Sequence, residues 1–114
     1  MLTRSYRLLP PLLIALSLAC SPPPGPITVD ENVVSVQNQT TREWRNVVIT
    51  VNDHFTGGAP RLPPGGRMTA SLSQFQTAFG QRYDVARQTL FKIEVKAVDA
   101  DGQVVNLLFE PRRR

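Results

Sequence analysis

Residues 91–97 read Phe91-Lys92-Ile93-Glu94-Val95-Lys96-Ala97, residues 99–102 read Asp99-Ala100-Asp101-Gly102, and residues 105–109 read Val105-Asn106-Leu107-Leu108-Phe109. On both sides of the interruption apolar side chains recur at every second position. Successive side chains of a strand leave opposite faces, so this period of two marks a half-buried strand rather than a helix. Gly102 suits a position of positive φ, and residues 99–102 read as the turn between the two rows. The reading is a hairpin of strands 89–98 and 103–110.

Working outward, the same alternation recurs upstream. Val34 and Val36 alternate with Ser35 and Gln37; Val47, Ile49 and Val51 alternate with Val48, Thr50 and Asn52; Met68, Ala70 and Leu72 alternate with Thr69, Ser71 and Ser73. Turn signals separate the runs at Asn38-Gln39-Thr40, Thr56-Gly57-Gly58 and Pro63-Pro64-Gly65-Gly66. One stretch departs from the period. Leu72, Phe75 and Phe79 fall at helical spacing, with Ser73 placed to cap and Gly80 to terminate, so 73–79 reads as one or two helical turns. Several short strands, explicit turns and no long helical pattern predict an all-β fold over 27–111. The expected architecture is a small immunoglobulin-like antiparallel β-sandwich with one short helical turn.

A chain of 114 residues holds one such domain. One Cys and one His exclude a disulfide framework and a zinc cluster. The formal charge of +4, with a pI near 10.0, resides at the two ends. Arg4 and Arg7 precede the first apolar run, and Arg112, Arg113 and Arg114 close the chain; between them eight basic residues face nine acidic ones. A nucleic-acid-binding fold carries its basic stripe on the domain itself, so no nucleic-acid partner is expected. The tail 112–114 reads as a solvated basic end, with contact to anionic lipid headgroups as the second reading.

The amino-terminal segment has the build of an export signal. A positively charged start is followed by the apolar run Leu8–Ala19, which Pro10-Pro11 interrupts and which is too short to cross a bilayer. Leu16-Ser17-Leu18-Ala19-Cys20 resembles the lipobox of bacterial lipoproteins, with Ser17 where that family prefers Leu or Val. The resemblance implies a signal peptide over 1–19, cleavage before Cys20 and acyl chains on Cys20. It also implies anchorage to the cell envelope, with Ser21 pointing to the periplasmic face of the outer membrane. Two or more acyl chains are what stable anchoring requires. Residues 20–26 then form a tether, since Ser21-Pro22-Pro23-Pro24-Gly25-Pro26 favours extended polyproline II and spans roughly 19 Å.

A second resemblance lies in the middle of the chain. Val34-x-Val36-x-Asn38-x-Thr40, then Trp44-x-Asn46-Val47-x-Ile49-x-Val51, then Leu62-Pro63-Pro64-Gly65-Gly66 is similar to the small envelope domains of the FxLYD type, although the aromatic-Leu-Tyr-Asp signature itself is absent. That similarity implies an immunoglobulin-like fold without catalysis.

Candidate chemistry is sparse. His54 beside Asp53 supplies two groups where a metal site needs more, and no G-x-S-x-G elbow accompanies the single His. Asp99 and Asp101 lack the spacing and closing Glu of a calcium loop, and neither Gly57-Gly58 nor Gly65-Gly66 is followed by the Lys-Ser/Thr of a phosphate loop. No enzyme activity, metal or cofactor is expected. Asn38-Gln39-Thr40 matches a glycosylation sequon and reads as a turn. Trp44 reads first as a core anchor and alternatively as an exposed binding aromatic with Phe55 and Tyr83. Two functions follow: a lipid-anchored envelope module with a protein partner, or an accessory lipoprotein that binds a small ligand or glycan through Trp44 and nearby loops. An open edge strand favours the first; an exposed Trp44 beside a concave pocket favours the second.

Overall fold

A computed structural model describes residues 25–111; the segment 1–24, which includes the signal reading, Cys20 and most of the tether, and the tail 112–114 lie outside the described residues. Seven strands and one 3₁₀ turn follow in chain order. They are β1 (Ile27–Asp30), β2 (Val33–Gln37), β3 (Trp44–Val51), β4 (Phe55–Leu62), β5 (Arg67–Ser71), a turn at Leu72–Gln74, β6 (Ile93–Asp99) and β7 (Val104–Phe109). They form two sheets, β1-β2-β5 and β4-β3-β6-β7, in which every neighbouring pair is antiparallel. The chain is an immunoglobulin-like β-sandwich, with β4 staying on the sheet of β3 while β5 crosses to the other.

The alternation read from the sequence is the burial pattern. Val34 and Val36 of β2 face Ile49 and Val51 of β3 and Ile93 and Val95 of β6 across the core, all almost wholly enclosed. The 99–102 hairpin forms as expected. Gly102 takes φ +82°, its N–H donates to the Asp99 carbonyl at 2.9 Å, and Asp99 Oδ1 accepts from the N–H groups of Asp101 and Gln103 at 2.8 and 3.0 Å.

Four local expectations change. Thr56-Gly57-Gly58 is not a turn but the start of β4, where Gly57 and Gly58 pair with Ile49 and Val48. The reversal comes earlier, at Asn52 and Asp53, whose φ values of +51° and +66° give the mirror-image turn that suits strand twist. Helix over 73–79 shrinks to the single turn Leu72–Gln74, capped by Ser71 rather than Ser73; Leu72 and Phe75 reach the core, and Phe79 is 97% exposed. Phe91 precedes β6 and is exposed rather than on its inward row.

The fourth change is a bulge in β3. Trp44 and Val47 both point inward, which strict alternation forbids. Between Arg45 and Val48 the pairing with β6 shifts by one, and Asn46 takes φ +52°. The extra residue resets the parity, which is what a β-bulge does. Pro60 of β4 stands opposite Asn46, where it has no N–H to leave unpaired.

The two ends of the sandwich are distinct. Pro26, Asn38, the Pro63–Gly66 turn and the Asp99–Gly102 turn gather at one end, joined by Gln37 N–H to Pro26 O and Asn38 N–H to Gly66 O, both 2.8 Å. The Asn52–His54 turn, the long 72–92 connection and the exit at Pro111 lie at the other. The domain therefore begins and ends at opposite ends.

Candidate functional site

The three aromatic residues singled out in the sequence all belong to the core. Trp44 is 2% exposed at the start of β3, beside Leu62 and Asp99 in the register; Phe55 and Tyr83 are similarly enclosed. Phe55 and Tyr83 meet edge to face, with ring centroids 5.3 Å apart and an interplanar angle of 78°. This geometry favours aromatic pairs beyond simple area burial. The Trp44 indole N–H is buried and has no hydrogen-bond partner among the described residues. Burial raises the Tyr83 pKa above its ordinary value of 10.0, because the phenolate is poorly solvated there. None of the three offers a surface to a ligand. Of the two readings of Trp44, the enclosure of all three rings accords with the core anchor: their large apolar area is worth more between the sheets than in water.

Two asparagines hold the loops around this core, and sequence reading took both for ordinary turn or surface residues. Asn38 is fully buried. Its Nδ2 donates to the carbonyls of Arg42 and Leu62 at 2.7 and 3.0 Å, while its Oδ1 accepts from Thr40 N–H and Thr40 Oγ1 at 3.0 and 2.6 Å. The sequon is thus a turn with an internal clasp, and the clasp ties β2 to the end of β4. Asn52 does the same at the opposite end. Its Nδ2 donates to Thr89 O at 2.9 Å, and its Oδ1 accepts from Phe91 and Lys92 N–H at 2.8 and 3.2 Å. A signal for both was present: Asn immediately after an alternating run, where a side-chain amide can stand in for backbone partners.

The polar groups do not converge. Lys92 Nζ lies 2.6 Å from Asp53 Oδ1, and that hydrogen bond raises the Lys92 pKa despite some desolvation. His54 lines a shallow depression with Thr77, Phe79 and Gln81. Asp101 pairs with Arg42, and Glu43 with Arg45. Among the described residues no three His, Cys, Asp or Glu side chains gather where a metal could sit. A cleft of about 290 Å³ opens between the β4 and β5 edges over the ring of Phe75, lined by Gly57, Gly58, Met68, Thr69, Ala70 and Gln74. None of these lining residues is titratable.

The accessible features are apolar. Val104 and Leu108 of β7 are 75% and 58% exposed, and Phe79 projects from the 77–80 turn. Compared with known proteins, the chain matches no family model, no curated protein and no solved structure.

Proposed function

We propose that the protein is a lipid-anchored component of the bacterial cell envelope whose β-sandwich is a non-catalytic interaction module. The observation that carries the reading is the chain's single cysteine, Cys20, closing a basic and then apolar segment in Leu16-Ser17-Leu18-Ala19-Cys20. A lone cysteine converted to a thioether leaves no thiol to oxidise in an oxidising compartment. The proposed location is the periplasmic face of the outer membrane, from Ser21 after the lipidated residue. The partners are the membrane, through acyl chains on Cys20, and a protein of the envelope.

The geometry supports a protein partner over a small ligand. The aromatics that a ligand site would have used are enclosed, whereas β7 presents an open sheet edge flanked by exposed aliphatic side chains. The first strand starts at Ile27, so a tether of about seven residues holds the domain within roughly 20 Å of the lipid.

Membrane fractionation with mass spectrometry of the amino-terminal peptide tests the reading. The wild-type chain should pellet with membranes and yield an acylated peptide beginning at Cys20. The Cys20→Ser chain should be soluble or uncleaved. An unmodified Cys20 in the mature protein would overturn the anchor.

A further inference from the structure

An open strand edge presents a row of unpaired N–H and C=O groups that any extended chain can satisfy, and proteins blunt such edges with charge, proline, bulges or brevity. Among the described residues this sandwich has four edges: β1 and β5 in one sheet, β4 and β7 in the other. β1 has four residues, follows Pro26 and ends on Asp30. β5 opens on Arg67, and β4 carries Pro60 and Arg61. β7, Val104–Phe109, has none of these devices; its six residues are uncharged, and its pairing with β6 runs without a shift.

The hairpin fixes which backbone groups point outward. Asp99 N–H donates to Gln103 O at 2.9 Å, so Gln103, Val105, Leu107 and Phe109 direct their backbone groups to β6. Val104, Asn106 and Leu108 turn theirs to the open side. The same three residues put their side chains on the outer face of the sheet, where the two aliphatic ones are largely exposed.

Resting on the reading of the sandwich as a protein-binding module, we propose that the protein partner at this edge is a second copy of the chain, whose β7 edge pairs antiparallel about a two-fold axis through Asn106. In that register Val104 lies against the second copy's Leu108, and the two Asn106 side chains lie against each other, so apolar meets apolar and amide meets amide. Moving the axis to Leu107 sets Val104 against Glu110 and Asn106 against Leu108. Moving it to Val105 carries Leu108 past the end of the other strand onto the Gly102 turn. Of these three registers, only that through Asn106 pairs every residue of the edge with a like residue. It also sets Pro111, the last described residue, against the second copy's Asp99–Gly102 turn. Of the two carboxylates there, Asp101 pairs with Arg42, and Arg112–Arg114 bring further complementary charge. Pairing uses both β7 edges, so a closed dimer results rather than a filament. The two amino-terminal ends then lie on opposite sides of the axis; tethers of about 20 Å reach one membrane when the strands lie along its surface.

Full-length Asn106→Cys tests the register. Residues facing each other in a hydrogen-bonded antiparallel pair sit about 5.5 Å apart at Cα, within disulfide range. Under oxidant the Asn106→Cys chain should run as a covalent dimer. Leu108→Cys, whose mate is displaced by four residues in the second copy, and the wild-type chain should not. Sedimentation of the detergent-solubilised chain should give a dimer. Leu108→Lys should convert it to a monomer with an unchanged circular dichroism spectrum, and replacing Arg112, Arg113 and Arg114 by Glu should weaken it about tenfold, since attraction to the carboxylates becomes repulsion. A wild-type chain that stays monomeric, a dimer indifferent to Leu108→Lys, a disulfide at position 108 in place of 106, or crosslinking of the Asn106→Cys chain to a different protein would each overturn the proposal.

Discussion

Replacing Gly58 by alanine tests the bulge and the strand assignment of β4 together. A Cβ built on Gly58 would lie 2.0 Å from the carbonyl oxygen of Val47 and 3.2 Å from Cα of Val48, both backbone atoms of the paired strand. An ordinary contact there is no closer than about 3.4 Å, so β3 and β4 must part by more than an ångström to admit one methyl group. Overpacking of that kind costs roughly 1–3 kcal/mol. A neighbouring ladder hydrogen bond stretched by the shift adds about 1 kcal/mol. Offsetting this, alanine in a strand gains roughly 0.5–1 kcal/mol over glycine in backbone entropy. The net expectation is a loss of about 2–3 kcal/mol, which lowers Tm by roughly 10–20 °C in a domain of this size. Gly57→Ala is the control. Its Cβ would meet only the ring of Phe75, at 3.0 Å, and a side chain can tilt where a backbone cannot. That variant should lie within about 1 kcal/mol of wild type. Thermal unfolding followed by Trp44 fluorescence reads both, because Trp44 is the single tryptophan and sits in the same strand as the bulge. Equal melting temperatures for the two variants would refute both the close approach and the placement of Gly57-Gly58 inside a strand.

Asn38→Ala should cost about 2 kcal/mol in urea unfolding, since the buried Leu62 carbonyl and the Thr40 N–H lose their partner and the part-buried Arg42 carbonyl keeps only the Thr40 hydroxyl, while Gln39→Ala should change stability by less than about 0.5 kcal/mol. Ile49→Asp buries an unpaired charge and should leave the chain largely unfolded by circular dichroism, whereas Val48→Asp, on the outer face opposite Lys96, should melt near the wild-type temperature; reversal of that order would mean the register is off by one. In the chain from Cys20 onward Tyr83 is the only tyrosine, so tyrosinate absorbance reports it alone, and its midpoint should lie above 10.0. Because the folded value is the higher one, the unfolded chain loses its phenol proton first. Stability should therefore fall once the pH rises through about 10, and Tyr83→Phe should reduce that fall, the remainder including that of Lys92, whose pKa the fold also raises. A midpoint at or below that value would contradict the burial.

The strands that one face buries were legible because their chemistry is periodic. β2, β3, β6 and β7 each place β-branched or large aliphatic residues at alternate positions, β5 does so with Met68 and Ala70, and only a sheet with one wet face makes use of that spacing. Turns were legible where a residue type is tied to a backbone region, as at Gly102 and Pro63–Gly66. β4 was hidden because its residues answer to neighbours distant in sequence. Gly57 makes room for Phe75 and Gly58 for the Val47 carbonyl, so the positions that would advertise a strand hold glycine. The end of the expected helix was hidden for a like reason. Phe79 has the right spacing, but after Leu72 and Phe75 have entered the core the chain turns at Gly80 and leaves Phe79 in solvent. For the same cause, whether Trp44, Phe55 and Tyr83 bind or pack could not be read locally: an aromatic side chain is equally suited to a core and to a contact surface, and only the meeting of two sheets decides which. Local chemistry set the period, the turns and the proposed anchor at Cys20. Contacts across the sandwich decided the parity reset at Asn46, the enclosure of the aromatics and the exposure of the β7 edge, because each depends on what the opposite strand or sheet leaves room for.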